Sequence, residues 1–413
     1  MIVIIGGGPA GFFAAITARE ARQDVPVVLL EKHQNVLRKV LVSGGWRCNV
    51  TNDCHDPREL VKRYPRGGRE LIGAFHRFGP ADIISWFEDH GVPLKAEPDG
   101  RIFPVSDASS DIVETLRAAA HQSGVEIRTR CGVESVQFDS DAGEFFLELG
   151  DGTKLRCEKV LLATGGQTSG DGQGGLALAS SLGHDIENPV PSLFTFKIQN
   201  PLLEGLAGVA ASNVAIKATG EGFPGKGLSE TGPVLVTHWG LSGPAVLKLS
   251  AWGARVMSDA GYRFSLMVDW CPETARSDLD TILIKWADDH GRKQTSHGPE
   301  LGLPRRLWEA LLEKSEIPRD RKWAELGKKN RNRLVEALKA TSLGVYGKAT
   351  NKEEFVTCGG IRLKDVDFKT MESRLQPGLF FAGEVLDIDG ITGGFNFQGC
   401  WTTGFLAGQG IHS

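Results

Sequence analysis

The opening of the chain constrains the fold more than any other stretch. Met1-Ile2-Val3-Ile4-Ile5 is an apolar run, and Gly6, Gly8 and Gly11 are spaced G-x-G-x-x-G. An alanine-rich stretch follows, then a second apolar run, Val27-Val28-Leu29-Leu30, stopped by Glu31-Lys32. This order predicts strand, tight turn, helix, parallel strand and acid, which is a dinucleotide-binding βαβ unit. Gly6 permits the turn, Gly8 lets a pyrophosphate approach the backbone, and Gly11 lets the helix pack close on the sheet. Gly6, Gly8, Pro9, Ala10 and Gly11 are therefore candidate cofactor contacts. The helix N-terminus adds free N–H groups and partial positive charge. Glu31, twenty residues beyond Gly11, stands where an acid accepts hydrogen bonds from an adenosine ribose, with Lys32 beside it. In a chain with 52 glycines the spacing alone is weak; the strand, helix, second strand and acid in register give it weight. The motif does not separate FAD from NAD.

A length of 413 residues suggests two or three domains. A net charge of −4 argues against a dedicated nucleic-acid binder. Hydrophobic content of 41% and charged content of 24% fit a soluble globular protein. No apolar run reaches the ~18 residues that span a bilayer. The fingerprint begins at residue 2, which leaves no room for a signal peptide before it, so a cytoplasmic protein is expected. The seven cysteines are scattered without a C-x-x-C, so reduced thiols are expected, and no metal site.

Residues 37–52 read as a short apolar stretch running into a polar loop. Arg38, Lys39 and Arg47 put three positive charges near the expected pyrophosphate, and Ser43, Gly44 and Gly45 offer donors. Helices are expected at 80–91 and 108–122, the second capped by Asp107 or Ser109. Residues 125–129 are expected as a strand leading into 133–138 and, through a polar turn, 144–149, an antiparallel β-meander with Asp151-Gly152 marking its next turn. Lys159-Val160-Leu161-Leu162 is a buried strand closing on Ala163-Thr164-Gly165. From 192 to 268, short β-like runs between glycines suggest a small barrel. Within it, Thr237-His238-Trp239-Gly240 leads to a helix with Pro244 near its first position and Ser242 as candidate cap. Residues 275–343 are helical and charged. Their basic cluster (Arg319, Arg321, Lys322, Lys328, Lys329, Arg331, Arg333) reads as a solvated face, since no aromatic interleaving accompanies it. Near the C-terminus, Leu379-Phe380-Phe381-Ala382-Gly383-Glu384 is a strand ending in glycine and acid. Gly393-Gly394 then feeds a helix dominated by small residues.

Three separated segments, the N-terminal fingerprint, Ala163-Thr164-Gly165 and Ala382-Gly383-Glu384, resemble a two-dinucleotide-binding-domain flavoprotein. More narrowly, the chain resembles the BaiN-like (YhiN-like) family of NAD(P)/FAD-dependent oxidoreductases. Five stretches carry the resemblance: Arg38-Lys39 through Ser43-Gly44-Gly45 to Arg47-Cys48-Asn49-Val50-Thr51-Asn52; Gly100-Arg101-Ile102-Phe103-Pro104; Thr237-His238 with Gly240-Leu241-Ser242-Gly243-Pro244-Ala245; Thr370-Met371-Glu372-Ser373; and Gly383-Glu384-Val385-Leu386-Asp387 through Gly393-Gly394 to Asn396 and Gln398. Two positions depart from it: Leu37 and Trp46 stand where the family commonly has glycine. The loop at 166–172 also looks shorter than the family's.

The resemblance implies an α/β fold, with a Rossmann-like FAD domain of parallel sheet plus meander built from both chain ends (1–191 and 363–413). It also implies a barrel-like insert (192–270, returning through 344–362) with a nested helical insert (271–343). By this likeness Arg38, Lys39, Ser43 and Gly44 border the diphosphate or adenosine, and Arg47, Cys48 and Asn49 approach the flavin. Val133 contacts adenine through its backbone, Thr164 and Gly165 line the site, and Gly383 and Glu384 reach the ribityl chain or phosphate. Gly394, Asn396 and Gln398 set donors and a helix dipole at the flavin N1–C2 edge. Candidate catalytic groups are His238, as proton donor, and Cys48, as a redox thiol that could pair with Cys54. The expected function is an FAD-dependent oxidoreductase reducing a small organic substrate, with NAD(P)H as a transient donor. An oxidase of an amine-like donor, or a flavin-binding sensor or partner protein, remains the alternative. No membrane partner is expected and nucleic acid is disfavoured.

Overall fold

The computed structural model describes residues 1–166, 174–349 and 356–413, so of the short 166–172 loop only Gly166 is included. The chain divides into two compact units, Met1–Ser192 with Lys352–Ser413, and Leu193–Asn351. Among the described residues no helix is long and apolar enough to cross a membrane.

The first unit is built on a seven-stranded sheet. Strand β1 (Ile2–Ile5) leads through helix α1 (Pro9–Ala21) to β2 (Val27–Glu31), and β1 and β2 pair in parallel. On one side of β1 lie Lys159–Leu162 and then Leu379–Phe381, both parallel; beyond β2 lies Glu126–Thr129. The four residues of β1 and the first four of β2 are buried, as expected of a parallel sheet covered on both faces. The antiparallel meander is formed by Val133–Asp139, Glu144–Leu149 and Lys154–Cys157, whereas Glu126–Thr129, expected to lead it, pairs in parallel with β2 instead. Helix Phe395–Gly410 packs on α1 because glycines occupy the contact: a Cβ at Gly404 would come 2.7 Å from the Ala10 carbonyl oxygen, and one at Gly408 2.6 Å from that of Ala14.

Residues 37–52 differ from the sequence expectation. Arg38–Trp46 is a helix, α2, interrupted at Ser43, where the backbone turns extended before three left-handed residues. The helix at Ser109–Gln122 is N-capped by Ala108 without a side-chain bond; Asp107 is instead spent on Arg47 and Lys95.

His184 belongs to the core of this unit. Its Nδ1 lies 3.2 Å from the Ala179 carbonyl oxygen, which can only accept, so Nδ1 carries the proton and Nε2 accepts from the Ser373 hydroxyl at 2.7 Å. Burial penalises the imidazolium and pushes the pKa below its ordinary value. A depressed pKa gives stability that is complete above the unfolded value near 6.5 and is lost as pH falls through the folded one. Urea midpoints of wild type and His184→Asn should therefore converge as pH drops below about 6.5. Parallel pH profiles would refute this.

The second unit contains a closed six-stranded barrel: Thr195–Ile198, Gly240–Ser242, Leu228–Thr237, Ala210–Thr219, Phe264–Asp269 and Thr341–Ala349, in that spatial order. Helices Arg276–His290, Arg305–Lys314 and Lys328–Lys339 lie between the last two strands in sequence and share one apolar core with the barrel. In the first of these helices Leu279 and Leu283 are buried while Ile282 is exposed, a narrower stripe than the periodicity suggests. Helix Pro244–Trp252 begins at Gly243 with no side-chain cap, and Ser242 instead accepts from the Thr195 hydroxyl. Much of the basic cluster is neutralised by acids distant in sequence: Arg319 by Glu309 and Glu313, Arg331 by Asp280, Arg333 by Glu316.

Candidate functional site

The parallel strands bring three separated segments together at their carboxyl ends, where open α/β sheets hold ligands. Gly6 follows β1, Ala163-Thr164-Gly165 follows the neighbouring strand, and Ala382-Gly383-Glu384 follows the next. Backbone bonds lock them side by side: Ala163 N–H to Ile5 O at 2.8 Å and Ala382 N–H to Leu162 O at 3.1 Å. A Cβ at Gly6 would sit 2.3 Å from the Ala163 carbonyl oxygen, and one at Gly11 2.0 Å from that of Gly6, so both glycines are required by packing. At Gly8 a Cβ would meet nothing within 4 Å. Gly8 therefore faces open space at the start of α1, where Pro9 takes the first helical position and Ala10 is buried.

Glu31 ends β2 and turns back to this loop. Its carboxylate accepts from Gly7 N–H at 2.8 Å and from His33 N–H at 2.8 Å. Lys32 is exposed beside it. Val133 opens the meander strand just after Cys131, whose N–H bonds Glu31 O at 2.8 Å, so it lies at this end of the cradle.

Lys39 and Glu384, 345 residues apart, meet at 2.8 Å. Burial lowers the Lys39 pKa, but the charge and hydrogen bond of Glu384 outweigh it and hold the ammonium above its ordinary value. Gly383 N–H is held by Thr403 Oγ1 at 2.9 Å, a partner the sequence offered only as one more small helix residue. Arg38 starts α2 and is exposed. Arg47 faces elsewhere than expected: its guanidinium binds Glu97 and Asp107 and lies 4.0 Å over the Phe103 ring.

Cys48 does not fit a redox thiol. It is fully buried, burial pushes its pKa up to about 12, and it remains a free thiol, as does Cys54. Ser43 donates to Val40 O at 2.8 Å and its carbonyl accepts from Cys48 N–H at 3.0 Å, closing the loop around Gly44. Asn49, with its amide oriented to satisfy its neighbours, accepts from Gly394 N–H at 2.9 Å and donates to Thr51 O at 2.9 Å. It ties this loop to the N-terminus of helix Phe395–Gly410.

At that N-terminus, Asn396 clamps Gly390 through both of its amide atoms. Gln398 is fully buried; its side chain bonds Thr51 and Thr402, and its N–H closes the first helical bond to Gly394 O. The donors with no intrahelical partner are thus the N–H groups of residues 395–397. Gln398 supports this end from behind. Sequence reasoning missed a buried ion pair beneath the same segment: Arg66 holds Asp389, which also accepts from Ser192 at 2.8 Å. Charged residues this buried need partners, but sequence does not say which.

The two departures from the glycine pattern both fall at left-handed backbone, Leu37 at φ 56° and Trp46 at φ 69°. A side chain there costs about 1–2 kcal/mol. Leu37 is 1% exposed, and burying a leucine contributes about 1.5–3 kcal/mol, which offsets the strain. Trp46 is 60% exposed and has no such return.

His238 lies in the second unit, exposed at the tip of the hairpin between Leu228–Thr237 and Gly240–Ser242. Among the described residues no group of acids, histidines or cysteines is arranged to hold a metal ion.

Residues 1–410 match the family described as HI0933-like protein Rossmann domain. The chain belongs to that family. Within reach of it, the 3-dehydro-bile acid delta(4,6)-reductase of Clostridium scindens is 31% identical over 411 residues, covering 99% of this chain and 98% of the relative. A ribosomal RNA dihydrouridine synthase of Escherichia coli is 31% identical over 415 residues, covering 99% and 97%. The fold is also that of a 3-ketosteroid-delta4-(5alpha)-dehydrogenase from Rhodococcus jostii (TM-score 0.53, 15% identity, covering 100% of this chain and 96% of that one). A flavocytochrome c3 fumarate reductase shares it as well (TM-score 0.51, 15% identity, covering 100% and 78%).

This member of the HI0933-like family is a flavin-dependent oxidoreductase with a Rossmann-type FAD-binding domain. Its residues fit that cofactor on two observations besides the fingerprint. The Thr164 hydroxyl is buried without a hydrogen-bond partner among the described residues, in the turn beside Gly6. The backbone at Gly8 and at Gly165 is open to a ligand, with nothing within 4 Å of where a side chain would begin.

Proposed function

We propose that the chain uses NAD(P)H to add two hydrogens across a carbon–carbon double bond conjugated to a carbonyl in a small organic molecule. The observation that carries this reading is the pair of near-full-length relatives: a delta(4,6)-reductase of a 3-dehydro steroid acid and a dihydrouridine synthase are both named for that chemistry. When bound, FAD supplies hydride transfer. The chain's part is to hold and polarise. Gly6 to Gly11 and the start of α1 receive the pyrophosphate, Glu31 and Lys32 the adenosine ribose, and Val133 the adenine. Lys39, Ser43, Gly44, Thr164, Gly165 and Glu384 border the middle of the cofactor, with Arg38 at the edge of the diphosphate. Asn49 and the N–H groups of residues 395–397 present the positive helix end to the ring system, which favours negative charge there. We assign proton delivery to His238, whose imidazole is exposed at its hairpin tip.

The decisive test is anaerobic. NADH or NADPH should bleach the yellow holoprotein, and an enone such as a 3-oxo-4,6-diene should restore the colour and emerge with one double bond fewer. His238→Asn should slow that second step by about 10²-fold while leaving the bleaching unchanged. A holoprotein that no nicotinamide bleaches sinks the reductase reading. A second reading, in which the base reduced is a uridine in RNA, has the Escherichia coli relative in its favour. It predicts dihydrouridine in RNA incubated with the enzyme and NADPH, and loss of that product on neutralising Lys328 and Lys329.

A further inference from the structure

We infer that Trp46 is a specificity-determining contact for ligand binding: its indole stacks on a flat, conjugated carbonyl compound at the flavin end of the site. The inference rests on the reductase reading above. Four features of the chain support it.

The backbone comes first. Gly44, Gly45 and Trp46 stand at φ 57°, 68° and 69°, three consecutive left-handed residues. Glycine would be unstrained at the third position, so tryptophan is held there against the local preference. Strain of this kind concentrates where function uses it.

The second observation is the lack of a structural return. Trp46 is 60% exposed, and among the described residues no aromatic ring stacks on it and no cation lies over it. Other tryptophans of the first unit are used inside it: Trp86 packs against Phe13 and His90, and Trp401 donates to Val50 O at 2.9 Å. Most of the Trp46 side chain is therefore open to solvent.

Third, the indole is carried by a rigid support. On one side Ser43 is bonded to Val40 and Cys48. On the other Arg47 is fixed by Glu97, Asp107 and the Phe103 ring, and Cys48 is fully buried. A side chain presented from such a support binds without first having to be ordered.

Fourth, the support abuts the candidate site. Trp46 is three residues from Asn49, a span of at most about 11 Å of chain. Asn49 itself accepts from Gly394 N–H at the helix end assigned to the flavin ring. A planar apolar face there selects for planar substrates, because offset stacking rewards flat conjugated systems over puckered ones.

The test uses the FAD-loaded protein and two probes, a fused-ring 3-oxo-4,6-diene and its fully saturated ketone, with binding read from indole fluorescence quenching and from calorimetry. Glycine accepts the left-handed backbone, so Trp46→Gly keeps the fold. It should weaken diene binding about ten-fold, leave saturated-ketone binding within about two-fold, and leave the FAD-to-protein ratio unchanged. Trp46→Phe should recover diene binding to within about three-fold of wild type. In turnover, the Trp46→Gly effect should fall on KM rather than kcat. Equal diene binding by wild type and Trp46→Gly overturns the inference. So does loss of FAD from Trp46→Gly, which would make the indole a cofactor support, and so does a wild type that binds neither probe. Diene binding that depends on Trp46 without any turnover would leave this inference standing and remove the reductase reading instead.

Discussion

Replacing Gly8 with alanine is expected to abolish FAD retention while leaving the apoprotein as stable as wild type, within about 0.5 kcal/mol. Replacing Gly11 with alanine is expected to damage both. The two glycines belong to one fingerprint but answer to different forces. A methyl at Gly8 touches no protein atom within 4 Å, so the fold does not register it; the space it fills is the approach of the pyrophosphate to the backbone. A methyl at Gly11 would lie 2.0 Å from the Gly6 carbonyl oxygen, an overlap with backbone that only a shift of α1 away from β1 can relieve. Overpacking of this kind costs about 3 kcal/mol. Absorbance near 450 nm per mole of purified protein reads the cofactor, and urea denaturation of the apoproteins reads the fold. FAD retained by Gly8→Ala would remove the pyrophosphate from this turn.

Asp389→Ala is the second large loss. Asp389 is fully buried, the Arg66 side chain is 11% exposed, and the Ser192 hydroxyl donates to the same carboxylate. Burial pushes the Asp389 carboxyl above its usual pKa, and Arg66 and Ser192 recover part of that cost. Removing one partner leaves a guanidinium in a low-dielectric setting without this carboxylate, which costs about 3–5 kcal/mol, whereas replacing both partners by apolar residues of similar size costs far less. Asp389→Ala should therefore be much less stable than the double variant Arg66→Met, Asp389→Leu. The urea midpoints compare them directly, and equal loss in both would mean that the pair contributes through shape rather than charge. Because Asp389 lies in the segment that delivers Gly393-Gly394 to the C-terminal helix, FAD retention should fall with stability in the single variant.

The turns that meet at the carboxyl ends of the parallel strands were legible because their signals are local. The G-x-G-x-x-G spacing, the acid ending β2, the small turn after Leu162 and the glycine pair before residue 395 each follow from how backbone meets a ligand at a strand or helix end. The barrel was legible for a similar reason, since glycines punctuated its short apolar runs. What could not be read were partners. Lys39 and Arg47 look alike in sequence, yet one meets Glu384 and the other turns to Glu97 and Asp107. Asp107 was a reasonable helix cap until Arg47 and Lys95 claimed it. The basic cluster lost much of its surplus charge to Glu309, Glu313, Glu316 and Asp280, acids that a count over neighbouring residues omits.

The family, the Rossmann-type half of the fold and the turns that gather at the end of its sheet could be read from the chain alone, because repeating patterns of burial and backbone freedom are written along it. Only the tertiary structure decided which side chain each charge meets, that Cys48 is sealed rather than reactive, and that Leu37 and Trp46 share one strained conformation with opposite compensation. Those outcomes depend on distance and solvent access between residues up to hundreds of positions apart, and such distances exist only once the chain has folded.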